Sequence, residues 1–139
     1  MTALIILALV AISTALGLWW RSRQGRTRAV DRPLTLADVP GLTAGDAPGV
    51  RGPLVLQVSS ATCSPCRATA RTWGSLGVAH REVLVEERPE VAEALGVWHT
   101  PTSFLFDADG ALISRIDGAP TRAAAAEALQ AIDAPAGAR

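Results

Sequence analysis

A three-layer α/β domain carried behind one membrane-spanning helix is the architecture that this sequence predicts. Three observations lead to it. Thr2 to Trp20 contains no charged residue. From Pro53 to Ile132, short apolar runs of strand length alternate with helical periodicities in the order β-α-β-α-β-β-α. The four-residue turn Asp107-Ala108-Asp109-Gly110 then joins the last two strands as an antiparallel hairpin, whereas a βαβ unit requires parallel strands. The sheet is therefore mixed, with helices on both of its faces.

Nineteen uncharged helical residues span about 28 Å, close to the thickness of a bilayer's hydrocarbon core. Trp19 and Trp20 stand where an interfacial aromatic belt belongs, and Arg21, Arg23, Arg26 and Arg28 follow at once. No positive residue precedes the apolar run and two tryptophans occupy its exit, so the pattern is that of an anchor rather than a cleaved signal. Arginines after the span and none before it predict an outside N-terminus and a cytoplasmic domain, a single-pass arrangement at the cell membrane; an extracytoplasmic domain is the alternative. The predicted organisation is a transmembrane helix over 1–20, a basic juxtamembrane linker and irregular segment over 21–48, an α/β domain over 49–134 and a disordered tail over 135–139.

Taken in order, residues 21–31 are polar, basic and without periodicity, as befits a linker. Leu34-Thr35-Leu36 could form a short edge strand. Pro40-Gly41, Gly45, Pro48-Gly49 and Gly52-Pro53 interrupt the chain too often for long elements. Pro53 to Ser59 is a continuous apolar run with β-branched content, the pattern of a buried central strand. Thr69, Trp73 and Leu76 share one face of the helix that follows, and Gly77 can cap it. Val83-Leu84-Val85 is a second buried strand. Pro89 opens a short helix that Gly96 ends, with Glu90 and Glu93 in its positive first turns. Thr102 to Phe106 and Ala111 to Ile116 form the hairpin. Thr121 is an N-cap for a final helix whose Ala125, Ala128, Leu129 and Ile132 keep i, i+3, i+4, i+7 spacing.

Composition excludes several functions. Formal net charge is zero and no basic stripe is interleaved with aromatics, so nucleic acid is not an expected partner. All 13 cationic residues are arginine, which excludes lysine Schiff-base chemistry. The two cysteines, Cys63 and Cys66, are too few for a disulfide-stapled scaffold, and a bridge between residues three apart closes almost no loop. Reactivity explains the pair better. It sits in Cys63-Ser64-Pro65-Cys66, between a strand and a helix. There, unpaired N–H groups and the positive end of the helix dipole stabilise a thiolate at the first cysteine. The second lies one turn on and can attack a mixed disulfide formed by the first. Pro65 fits the first helical turn, where its missing N–H costs nothing. A zinc site would need four ligands, and His80 and His99 are not spaced to complete one, so no metal is expected.

A strand, C-x-x-C and a helix in this order of elements resemble the thioredoxin-like family. Thr100-Pro101-Thr102 strengthens the resemblance, because it stands before the hairpin where that family keeps a cis-proline facing its disulfide; Gly118 before the last helix is a further match. The resemblance covers about Pro53 to Ile132 and implies a thioredoxin-like domain. It makes Cys63 the exposed attacking cysteine, Cys66 the buried resolving one, and Thr100 and Pro101 the groove in which a substrate chain lies. It implies exchange with protein thiols and disulfides and recycling by a separate reductant or oxidant, with no cofactor beyond the Cys63–Cys66 disulfide.

The sequence also departs from the family. Thr62 stands where a tryptophan is usual, Ser64-Pro65 replaces Gly-Pro, and Gln57 replaces a buried aspartate. Glu82 corresponds loosely to the lysine that pairs with that aspartate. An amide cannot accept the resolving thiol's proton, which leaves water, Glu82 or Glu86 for that role. His99, two residues before Pro101, could lower the pKa of Cys63 or shuttle a proton. His80 reads as a surface residue, and Trp73 and Trp98 as core or rim packing. Two functions are compatible with these residues. One is a membrane-tethered thiol–disulfide oxidoreductase; the other is a binding module that docks a membrane partner and uses the disulfide as a switch.

Overall fold

The computed structural model describes residues 1–23, 25–30, 34–42 and 52–133. Of the linker and irregular segment expected over 21–48, residues 24, 31–33 and 43–48 lie outside the described residues, as does the disordered tail expected over 135–139. Helix α1 runs from Thr2 to Arg23, three residues past the apolar segment. Leu4, Ile5, Leu7, Val10, Leu16 and Trp20 along it are all exposed, and its Thr2–Trp20 portion is long and apolar enough to cross a membrane.

The folded part contains β1 (Thr27–Ala29), a 3₁₀ turn (Leu36–Asp38), β2 (Leu54–Ser59), α2 (Ser64–Ser75), β3 (Ala79–Leu84), α3 (Pro89–Ala94), β4 (Thr102–Phe106), β5 (Leu112–Asp117) and α4 (Arg122–Asp133). The five strands form one mixed sheet in the order β1-β5-β4-β2-β3. β2 and β3 are parallel, as the intervening α2 crossover requires, and the other pairings are antiparallel.

Period-two alternation divides the core into two layers. Leu54, Leu56, Val58, Phe104 and Phe106 face one side, where α3 contributes Val91 and the 3₁₀ turn contributes Leu36. Val55, Leu105 and Ile116 face the other, where α2 contributes Trp73 and α4 contributes Ala125 and Ala128. Thr121 caps α4 as expected, its hydroxyl accepting the Ala124 N–H at 3.2 Å. The Asp107 carboxylate accepts the N–H groups of Asp109 and Ala111, and Gly110 takes φ +81°, which together close the hairpin.

Two expectations for the N-terminal part are corrected. Leu34-Thr35-Leu36 does not form an edge strand: Thr35 makes a single bridge to Ala111, and the chain then tightens into the 3₁₀ turn. The Asp38 carboxylate imposes that turn by accepting both the N–H and the hydroxyl of Thr35, at 2.8 Å each. The edge strand is instead Thr27–Ala29, inside the segment read as linker. It pairs with β5 through Thr27↔Ile116 and Ala29↔Ser114. A polar three-residue strand carries no periodicity, so its position comes from the unpaired edge of β5.

Candidate active site

The site is assembled at one end of the sheet, where β2 stops and β4 starts. Cys63 is the N-cap of α2, in extended conformation, and its Sγ accepts the Cys66 N–H at 3.1 Å. One of the helix's orphan donors thus points at the sulfur. Cys63 and Cys66 are joined as a disulfide. Cys63 is half-buried, whereas Cys66 is 1% exposed, so the first cysteine is the more accessible of the two. Ser64 and Pro65 form the exposed first turn, with the Ser64 hydroxyl accepting from Arg67 and the Pro65 carbonyl accepting from Thr69.

The loop that delivers Cys63 is fastened from β3's side. Glu86 accepts the Ser60 hydroxyl at 2.6 Å and the Ala61 N–H at 3.2 Å. The Ser60 bond in the first place, aided by backbone donors, holds its carboxyl below the usual carboxylate range. Glu86 therefore works as an ionised clamp on the loop, which is a different task from accepting a thiol proton.

β4 supplies the opposite wall. Pairing of Val58 with Thr102 puts Pro101 at the end of β2, abreast of Ser59 and the start of the Cys63 loop. The Thr100–Pro101 peptide bond is cis, Thr100 is half-buried and Pro101 is buried. Two hydrogen bonds hold this corner: Thr102 Oγ1 donates to the His99 carbonyl at 2.8 Å, and the Gly118 N–H donates to the Pro101 carbonyl at 2.8 Å. A side-chain bond ties α2 to β4, since the Trp73 Nε1–H donates to Ser103 Oγ at 3.1 Å and both residues are fully buried. The helix that bears the cysteines is thereby pinned two residues beyond Pro101.

Beneath the pair, Gln57 is fully buried and fully engaged. Its Nε2 faces Ser59 Oγ at 2.7 Å, the Cys66 carbonyl at 3.0 Å and, more loosely, Glu82 Oε1 at 3.4 Å. Its Oε1 lies 3.1 Å from His80 Nε2, an arrangement that puts the His80 proton on Nε2. Gln57 and Glu82 are also register partners between β2 and β3. His80 is not the surface residue expected from sequence: it is half-buried, and that burial lowers its pKa despite the opposing charge of Glu82. A neutral chain of hydrogen bonds thus runs from His80 through Gln57 to the backbone of Cys66.

The remaining assignments divide. The His99 imidazole lies 3.9 Å from the Asp117 carboxylate, which also receives Arg115 Nε at 2.7 Å. Trp73 is core. Trp98 is not packing at all, with 92% of its surface exposed. Sequence reasoning missed the roles of His80 and Glu86. Period two along β3 would have placed His80 and Glu82 opposite Val83, on the Gln57 face, and the parallel register would have carried Glu86 just past the end of β2.

No family model matches the sequence, and no curated protein matches it. Solved structures do. The chain is similar to the thioredoxin of Fasciola hepatica, with 24% identity over 59% of this chain and 82% of that one at a TM-score of 0.53. It is similar to mitochondrial thioredoxin 3 of Saccharomyces cerevisiae in its oxidised form, with 27% identity over 57% and 77% at 0.51. Spinach chloroplast thioredoxin f gives 25% identity over 59% and 77% at 0.52. The fold is thioredoxin-like, and the cysteine pair at its helix start is a thiol–disulfide oxidoreductase centre.

Proposed function

We propose that this thioredoxin-like chain is a membrane-tethered oxidoreductase that exchanges disulfides with protein substrates through Cys63 and Cys66. The observation that carries the reading is the asymmetry of the pair: a half-buried Cys63 whose sulfur faces the Cys66 N–H at a helix start, with Cys66 itself buried. In the reducing direction, the Cys63 thiolate attacks one sulfur of a substrate disulfide. A Cys63–substrate bond forms, and the other substrate sulfur leaves as a thiolate that takes up a proton. Cys66 then attacks the Cys63 sulfur, releases the second substrate thiol and restores the Cys63–Cys66 disulfide, so two electrons pass to the substrate. Run backwards, the same steps oxidise a dithiol. Thr100 and Pro101 are the wall against which the substrate chain lies, and Ser64 and Pro65 are the turn it meets. His99 stands at the rim of that wall.

Because Gln57 cannot accept a proton, the Cys66 proton leaves to water or to the substrate thiolate released in the first step. The uncharged Thr2–Trp20 segment supports the tether, and the arginines after it support a domain on the cytoplasmic side.

Cys66→Ser in the full chain should trap partners as mixed disulfides, and Cys63→Ser should abolish exchange; equal residual activity in both would contradict the assigned roles. A membrane-impermeant maleimide, applied after mild reduction, tests sidedness. Labelling only after lysis is the expected result, and labelling of intact cells would reverse the orientation.

A further inference from the structure

The end of the sheet that carries the cysteines is also the end at which the chain arrives from α1. β1 begins opposite the finish of β5 (Thr27↔Ile116), β5 finishes opposite the start of β4 (Asp117↔Thr102), and β4 starts opposite the finish of β2 (Thr102↔Val58). These residues form one row across the sheet. Three strand spacings, about 14 Å, separate the entry of β1 from the end of β2 that leads into Cys63.

The junction between helix and sheet is short and fastened. α1 continues to Arg23, and Gly25 already belongs to the domain, its N–H donating to the Asp117 carbonyl at 2.7 Å. Gly25 has φ +72°, and a Cβ there would stand 2.8 Å from the Ala119 carbonyl oxygen and 3.0 Å from Pro120 Cα. The backbone is pressed against the loop after β5. That same loop holds the active-site corner through the bond from Gly118 to the Pro101 carbonyl. On the membrane side, Arg26 Nε reaches back to the Ser22 carbonyl at 3.0 Å. Seven residues lead from Trp20 to Thr27, and after the three helical ones even a fully extended chain would reach at most about 18 Å in all. A flexible tether of twenty residues would let the domain roam by about 25 Å; here that freedom is absent. Trp98, three residues before Pro101 on this edge, presents an exposed indole of the kind enriched at membrane–water interfaces.

We infer that the Cys63–Cys66 edge faces the bilayer and that the substrates are juxtamembrane cysteines of other membrane-embedded proteins, with their sulfurs within about 20 Å of the lipid surface. This rests on the tethered-exchange reading and specifies its substrate class. A thiol carried far above the membrane by a tall soluble domain is out of reach, while one emerging beside α1 meets Cys63 at high local concentration.

The test is a single turnover with the full chain, reduced, freed of excess reductant and held in lipid nanodiscs. The probes are transmembrane peptides bearing a mixed disulfide to a fluorescent thiol. The disulfide stands either directly at the membrane exit or beyond a rigid helical spacer of about 60 Å. A soluble peptide with the same disulfide reports the chemistry alone. The exit probe should react about tenfold faster or more than the distant one. Twenty Gly/Ser residues inserted between Gln24 and Gly25 should erase most of that difference and leave the soluble rate unchanged. Equal rates at both heights, or a preference indifferent to the insertion, would overturn the inference with exchange itself intact. No reaction with any probe, the soluble one included, would remove the exchange reading and this inference with it.

Discussion

The bond between Trp73 and Ser103 is the side-chain link that fixes the cysteine-bearing helix to the strand behind Pro101, and its energy can be measured by a double-mutant cycle. Trp73→Phe removes the indole N–H and part of a fully buried ring. The Ser103 hydroxyl, itself fully buried, loses its donor at a cost of about 1–3 kcal/mol, and the vacated ring volume adds on the order of 1 kcal/mol. Ser103→Ala leaves the indole N–H without an acceptor, again at about 1–3 kcal/mol. The double variant orphans neither group. It should therefore be about 1–3 kcal/mol more stable than the sum of the singles predicts. Urea unfolding of the full chain in detergent, followed by far-UV circular dichroism, reads all four proteins without depending on tryptophan emission. Additivity within about 0.5 kcal/mol would show that the contact does not couple α2 to β4.

Burial lowers the His80 pKa, so as pH falls below the ordinary histidine value the unfolded chain takes up a proton before the folded one. Stability should therefore drop as pH falls through that window, and His80→Gln should flatten the slope between about pH 7.5 and 5.5; identical slopes would refute the coupling. Gly25→Ala places a side chain in left-handed backbone against Ala119 and Pro120, and it should cost about 1–2 kcal/mol. Hydrogen exchange should show β1 losing protection while β2 and β4 keep theirs. The serine variants of the two cysteines and the height-graded probes described above complete the set.

The strands that are buried on both faces were legible because their apolar runs had no competing reading, as in Leu54–Ser59 and Thr102–Phe106. The cysteine pair was legible because its residue types and spacing carry their own chemistry. What escaped reading depended on partners distant in sequence. Thr27-Arg28-Ala29 is a strand because β5 offers it an edge, and nothing in those three residues says so. His80 acquires its environment from Gln57, 23 residues earlier, and Glu86 acquires its role from Ser60 and Ala61 across the parallel pairing. Trp98 was misread for the opposite reason: a large apolar side chain is ordinarily packed, and no element among the described residues covers this one.

The place of β1 has a practical corollary for anyone wishing to handle the domain without its anchor. The sheet has two margins. β3 guards one with the charged and polar side chains of His80, Arg81 and Glu82, whereas the other is sheathed by three residues attached directly to the anchor. A truncation at Arg32, where the sequence invites the cut, would strip that sheath and leave the backbone of β5 open to pairing with a neighbouring molecule. Fragments that begin after Trp20 and no later than Gly25 should stay monodisperse, and shorter ones should self-associate through β5. Solubility here is set by which side of a three-residue strand the chain is cut.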